Sequence, residues 1–288
     1  MRSPQTVLAT LAVAAIAAPA LAQTTLELPA PSPGASVTQT VGTTDLSLKY
    51  SRPGVKGRAI WGALVPFDQP WRTGANEATT LTVEDDVKVE GQPLPAGSYA
   101  IVTVPGKDQW AVAFSKQKNL WRGTTYDPKE DQLRVTVKPL AAEQAEWMQF
   151  TFDGTSPTET ELNLRWEKLR VPVRISVDVN AKVLKDCRAA VAAAAADDWR
   201  TPYRAANWCF DNAQAPDEAA AWGAKALKLK ENFQTLSLAA RMTAKAGRTT
   251  EAVAQMTQAV ALGKADKGLV PAQIEPMEKL LTEWSAKK

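Results

Sequence analysis

The segment Ser51-Arg52-Pro53-Gly54-Val55-Lys56-Gly57-Arg58, continuing through Trp61-Gly62 to Trp71-Arg72-Thr73-Gly74-Ala75-Asn76-Glu77-Ala78-Thr79, gathers the residues of this chain best suited to chemistry. Arg52, Lys56, Arg58 and Arg72 could form a cationic concavity for a carboxylate or phosphate, since each guanidinium offers a bidentate fork. Trp61, Trp71 and Trp121 could stack on a sugar or another flat ligand, with Asn76 and Glu77 fixing its orientation and Tyr126 nearby in the set. The same residue types also staple long loops, by stacking Arg on Trp or bonding Arg to loop carbonyls. Residue types and spacing leave both roles open.

Composition limits the reactions such a site could run. The chain has no histidine and two cysteines. That removes Ser-His-Asp and Cys-His nucleophile systems, His-liganded zinc and a four-thiolate metal site. No metal site and no cofactor are expected. Two carboxylates flanking a bond suffice for glycoside cleavage without histidine, which makes Glu77 with Asp127 the pair to consider. Carboxylates beside arginines also form plain ion pairs, so a catalytic role is the minor reading.

These residues sit within a region of period-two patterning. Trp110, Val112 and Phe114 alternate with small residues, and Leu133, Val135 and Val137 alternate with Arg134, Thr136 and Lys138. Met148, Phe150 and Phe152 share a face, as do Leu162, Leu164 and Trp166, and then Val171, Val173, Ile175 and Val177. Each run predicts a strand with one wet face. Turn signals at Glu90-Gly91, Pro95-Ala96-Gly97, Pro105-Gly106-Lys107-Asp108 and Asp153-Gly154 predict short, antiparallel connections. Residues 35–179 therefore read as an antiparallel β-sandwich or jelly-roll-like domain, preceded by a proline-bearing extended lead-in over 23–34. Pro172 places the last strand at an edge or a bulge. Leu94-Pro95-Ala96-Gly97-Ser98-Tyr99 reads as a turn entering a strand, with Tyr99 anchored in the core.

From residue 180 to 288 the pattern turns helical and Ala-rich. Six helices are expected, over 181–197, 201–213, 216–230, 232–246, 249–263 and 271–286. Residues 218–229 align with 251–262 at an offset of 33, matching Glu218/Glu251, Ala219/Ala252, Ala221/Ala254, Ala226/Ala259 and Leu229/Leu262. That spacing and the Ala246-to-Ala252 turn resemble a tetratricopeptide repeat, so the whole is an α+β chain of two domains, the second an all-α array of helical hairpins. Cys187 and Cys209 stand symmetrically about residue 198 on the first two helices, and an antiparallel hairpin there would bring them together as a disulfide. The alternative is two buried free thiols.

Residues 1–22 read as a secretory signal. Arg2 provides the charged start, Val7 to Ala18 the apolar run, and Ala20-Leu21-Ala22 the small-x-small site before Gln23. The run is too short for a bilayer span, so a periplasmic or secreted chain is expected. The formal net charge of +3 and the lack of a basic patch argue against nucleic acid as a partner.

Ser51-Arg52-Pro53, Lys56-Gly57-Arg58, Trp61-Gly62, Val65-Pro66, Trp71 to Thr79, Leu94 to Tyr99 and Tyr126-Asp127 together resemble an exported bacterial family, domain-of-unknown-function family 2911, over residues 44–178. The resemblance implies export, a β domain and a helical tail, with no assigned biochemistry. The leading expectation is an exported non-catalytic binding or scaffold protein, its Arg/Trp loop presented on a β-sandwich and its helical half meeting a protein or peptide. A small-molecule or glycan-binding module and a carboxylate hydrolase are the alternatives.

Overall fold

The computed structural model describes residues 28–120 and 126–286. The expected signal segment 1–22 and Trp121 lie outside the described residues. Ten strands come first: β1 (Gly34–Val41), β2 (Thr44–Ser51), β3 (Thr80–Val83), β4 (Val87–Val89), β5 (Gln92–Leu94), β6 (Gly97–Pro105), β7 (Trp110–Ser115), β8 (Asp131–Val137), β9 (Leu140–Ser156) and β10 (Glu159–Ser176). They form two antiparallel sheets, ordered β1-β2-β3-β6-β7-β8 and β5-β4-β10-β9.

Alternation decides which side chains go inside. Leu46 and Leu48 on β2, Leu81 and Val83 on β3, Ile101 on β6, and Val112 and Phe114 on β7 enter one core with Phe150, Leu162, Leu164 and Trp166 from β9 and β10. Each such side chain contributes about 1.5–3 kcal/mol when fully buried. Tyr99 joins this core and donates its hydroxyl to the Pro95 carbonyl at 2.9 Å, as expected of an anchor at the start of β6. Glu90 and Gly91, both with positive φ (47° and 79°), make the tight hairpin between β4 and β5.

Two strand expectations need correcting. Asp153-Gly154 is not a turn but lies inside β9, paired with Glu161 and Thr160; the hairpin closes only beyond Ser156. The runs 162–166 and 171–177 are not two strands, because β10 runs unbroken to Ser176 and absorbs register shifts near Glu167. Pro172 falls between its two pairings, with β9 up to Arg170 and with β4 from Ile175, so its missing N–H breaks no ladder there.

Six helices follow: α1 (Val179–Ala193), α2 (Arg200–Asp211), α3 (Pro216–Leu229), α4 (Phe233–Lys245), α5 (Thr249–Ala265) and α6 (Pro271–Ser285). None of them is long and apolar enough to cross a membrane. The 33-residue repeat is a repeat of burial: Ala219, Gly223 and Ala226 on α3 correspond to Ala252, Met256 and Ala259 on α5, and all six are buried. Five of these six residues are small and let the helices approach closely, and Gly223 lies against the Met242 thioether. The strong pairings are α2 with α3 and α4 with α5.

The two cysteines lie on the less extensively packed pair, α1 and α2. Cys187 on α1 and Cys209 on α2 are free thiols in this structure, and charge on Cys187 acts on Cys209 across the helix pair. α1 contacts α2 less extensively than α3 does, and α1 buries only Val191. Burial pushes both thiols above the usual cysteine range. Alkylation by iodoacetamide should therefore be slow at neutral pH and accelerate as pH rises, with half-buried Cys187 modified before buried Cys209. Peptide mapping by mass spectrometry checks the order; equal and rapid labelling at neutral pH would contradict this placement.

β10 passes into α1 through Val177 and Asp178 alone. Val177 is buried in the sandwich core, Val179 packs against it, and Asp178 caps α1 by accepting from the Ala181 N–H at 3.0 Å. Lys182 on α1 reaches Asp85 at 3.3 Å, and Asp85 in turn accepts from the Thr44 hydroxyl.

Candidate functional site

The loop from Arg52 to Thr79 connects β2 to β3. Four of its non-glycine residues have left-handed backbone: Lys56, Asp68, Thr73 and Asn76, with φ of 49°, 59°, 58° and 53°. Such conformations cost free energy and persist only where surrounding contacts over-determine them. The contacts are plentiful. Val55 donates to the Glu146 carbonyl and Met148 to the Pro53 carbonyl, tying the loop to β9. Trp71 and Thr103 exchange both backbone bonds at 2.8 and 2.9 Å, tying it to β6.

Most of the singled-out polar groups serve this loop. Arg52 donates Nε to the Met148 carbonyl, and Arg58 donates to the carbonyls of Gly54 (2.6 Å) and Val55 (3.1 Å). Arg72 Nε meets the Asn76 carbonyl, while Asn76 Nδ2 meets Ser32 O and Ser51 Oγ. Lys56 lies over the Trp147 ring at 5.8 Å, with its ammonium 3.5 Å from Pro31 O.

The two loop tryptophans go inward. Trp61 meets Trp110, Trp166 and Trp71 edge to face at 5.0, 5.7 and 5.9 Å, and Trp71 stacks on Trp166 at 5.8 Å. The indole N–H of Trp71 donates to Gly74 O, whereas those of Trp61 and Trp166 are buried without a conventional acceptor. Edge-to-face packing of this kind sets the positive rim of one ring against the negative face of the next.

Glu77 and Asp127 have different surroundings. Asp127 precedes a short 3-10 turn (Pro128–Glu130) and caps it, accepting from the Lys129 N–H at 2.9 Å. Glu77 instead opens onto the outer face of the six-stranded sheet, where an open trough of about 770 Å³ is lined by Ser36, Lys49, Ser51, Glu77, Thr80, Thr82, Ser98 and Lys118 among others. Asp127 does not line it.

Strand alternation builds this trough. With Leu48, Leu81 and Tyr99 inward, Lys49, Thr80, Thr82 and Ser98 face out. Register places Ser36, Lys49, Thr80 and Ala100 in one row across β1, β2, β3 and β6, with Thr82 beside Ser98 in the next. Thr82 and Ser98 share a hydrogen bond of 2.8 Å, and Thr80 donates to Ala78 O. Elsewhere on the same face, Leu120 is buried on Ala78, Ala100, Val102 and Ala113, with Tyr126 packed against them. The Tyr126 hydroxyl donates to Asp131 at 2.6 Å and accepts from Arg134 at 2.8 Å. Burial, then the bond to Asp131, holds the phenol above its ordinary pKa, which suits a neutral structural strut.

The charges around the trough differ from those of the loop. The side chains of Lys49, Glu77 and Lys118 have no hydrogen bond or ion pair to any described residue. A second concavity, about 600 Å³ between α1 and α2, is less available: Asp211 and Asn207 are joined to each other and to Arg241, and Asp186 to Lys182. Sequence reading found Glu77 but missed Lys49, Lys118 and the hydroxyl rows, which resemble any solvated strand face. Among the described residues, no group of three or more His, Cys, Asp or Glu is placed to hold a metal ion.

A protein-family model described as Protein of unknown function (DUF2911) matches residues 32–175, half of the chain. No curated protein and no solved structure matches.

Proposed function

The chain belongs to the DUF2911 family, and we propose that it is an exported, non-catalytic binding protein whose ligand site is the trough on the outer face of the six-stranded sheet. The observation that carries this reading is the set of unpaired charges, Lys49, Glu77 and Lys118, around a hydroxyl-lined floor. A solvated lysine or glutamate loses little by exchanging water for a ligand, whereas Arg52 and Arg58 would first have to release loop carbonyls. Asp127 does not line the trough with Glu77 and is engaged as a turn cap, which supports binding over hydrolysis. The signal-like pattern of residues 1–22 supports export. The helical half, with its repeating buried face, supplies a second surface suited to a protein or peptide partner.

Thermal melting against peptidoglycan fragments, glycans and small polar metabolites tests the site. Ser98→Trp fills the trough from an outward-facing position and should preserve the fold by circular dichroism. A ligand that raises the melting temperature of the wild type and leaves Ser98→Trp unmoved is the expected result. A shift retained in the filled variant would move the site elsewhere, and no shift from any compound would count against a small-ligand role.

A further inference from the structure

We infer that the trough takes a polyhydroxylated ligand bearing an anionic group, such as an acidic saccharide, and that Lys49 and Lys118 hold its charge. The inference rests on the trough being the binding site and adds the ligand's chemical class. Two ammonium groups against one carboxylate leave the rim net positive. Lysine provides a compact charge with three donors, fitted to carboxylate, phosphate or sulfate alike.

The floor offers the hydroxyl oxygens of Thr80, Thr82 and Ser98 as acceptors, and one proton of the Thr82–Ser98 pair remains to donate to a ligand hydroxyl. Among the described residues that line the trough, no aromatic face is turned to stack on a neutral pyranose. Tyr50 lines the trough through its position on β2, but its ring packs edge-on against Phe150 at 5.0 Å, within the sandwich. What the described lining offers a ligand is charge and hydrogen bonds. Glu77, unpaired at the rim, accepts from a ligand hydroxyl or amine and so orients the ligand against the lysines.

Calorimetric titration of the full mature chain with matched probes tests this. The probes are a uronic-acid oligosaccharide, its neutral counterpart and a sugar phosphate. The acidic probes should bind at least about tenfold more tightly than the neutral one, a difference of about 1.4 kcal/mol. That preference should shrink as salt is raised, because exposed charges are screened. Lys49→Ala with Lys118→Ala should abolish it, while charge-preserving Lys49→Arg with Lys118→Arg restores much of it. Tighter binding of the uronate or of the phosphate identifies the anion, and either supports the inference.

Equal affinity for acidic and neutral probes overturns it, as does a preference that survives the double alanine variant. Ser98→Trp separates this failure from that of the site itself. Neutral-probe binding lost in that variant keeps the trough and discards the anionic class, while binding that persists discards both. Absence of binding by all three probes also overturns the inference.

Discussion

Trp166→Ala is expected to lower the free energy of unfolding by about 3–5 kcal/mol, the range for deleting a large aromatic side chain from a packed core. Trp166 is 1% exposed and touches both Trp61 and Trp71, so its removal opens a cavity beneath the loop as well as inside the sandwich. The loop cannot collapse to fill the space without disturbing its left-handed residues and the backbone pairing of Trp71 with Thr103. Urea unfolding measures the loss, and limited proteolysis should show new cleavage between residues 52 and 79. A loss below about 1 kcal/mol, or unchanged protection of the loop, would mean that the tryptophan cluster does not hold it down.

Thr73→Val should cost about 1–3 kcal/mol, although it keeps the volume of the side chain. Thr73 is fully buried and its φ of 58° is unfavourable for a β-branched residue. Its hydroxyl lies 3.2 Å from the Trp71 carbonyl and 3.1 Å from the Thr103 hydroxyl, while its own carbonyl accepts from Thr79 at 2.6 Å. Valine leaves these buried partners short of one bond. Serine retains the hydroxyl and removes the branch, so Thr73→Ser should lose markedly less. Equal losses for the two variants would show that packing, rather than the hydroxyl chain, fixes this turn.

Local signals made much of the fold legible in the sequence. Pro216 and Pro271 stand at the starts of α3 and α6, where proline sacrifices no intrahelical bond, and both starts were readable for that reason. Alternation at Trp110, Val112 and Phe114 marked β7 because one face of that strand is entirely core. Where geometry depends on distant partners, the reading failed. Asp153-Gly154 has the composition of a turn, but pairing with Thr160 and Glu161 holds it in β9. Arg52 and Arg58 looked equally fit for a ligand or for a carbonyl, and tertiary geometry gave them carbonyls. Lys49 gave no signal, because being unpaired is a property of its neighbours.

The four-tryptophan cluster also sets an order of events for the chain. Trp61 and Trp71 enter early from the N-terminal side, but Trp166 arrives on β10, the last strand of the sandwich. The loop therefore cannot reach its final form while the chain is still incomplete before β10, whatever its local preferences. Contacts so distant in sequence are slow to close. A nascent chain would hold this Arg- and Trp-bearing loop without its final contacts until the last strand docks, which makes that interval the one in which a chaperone would find it.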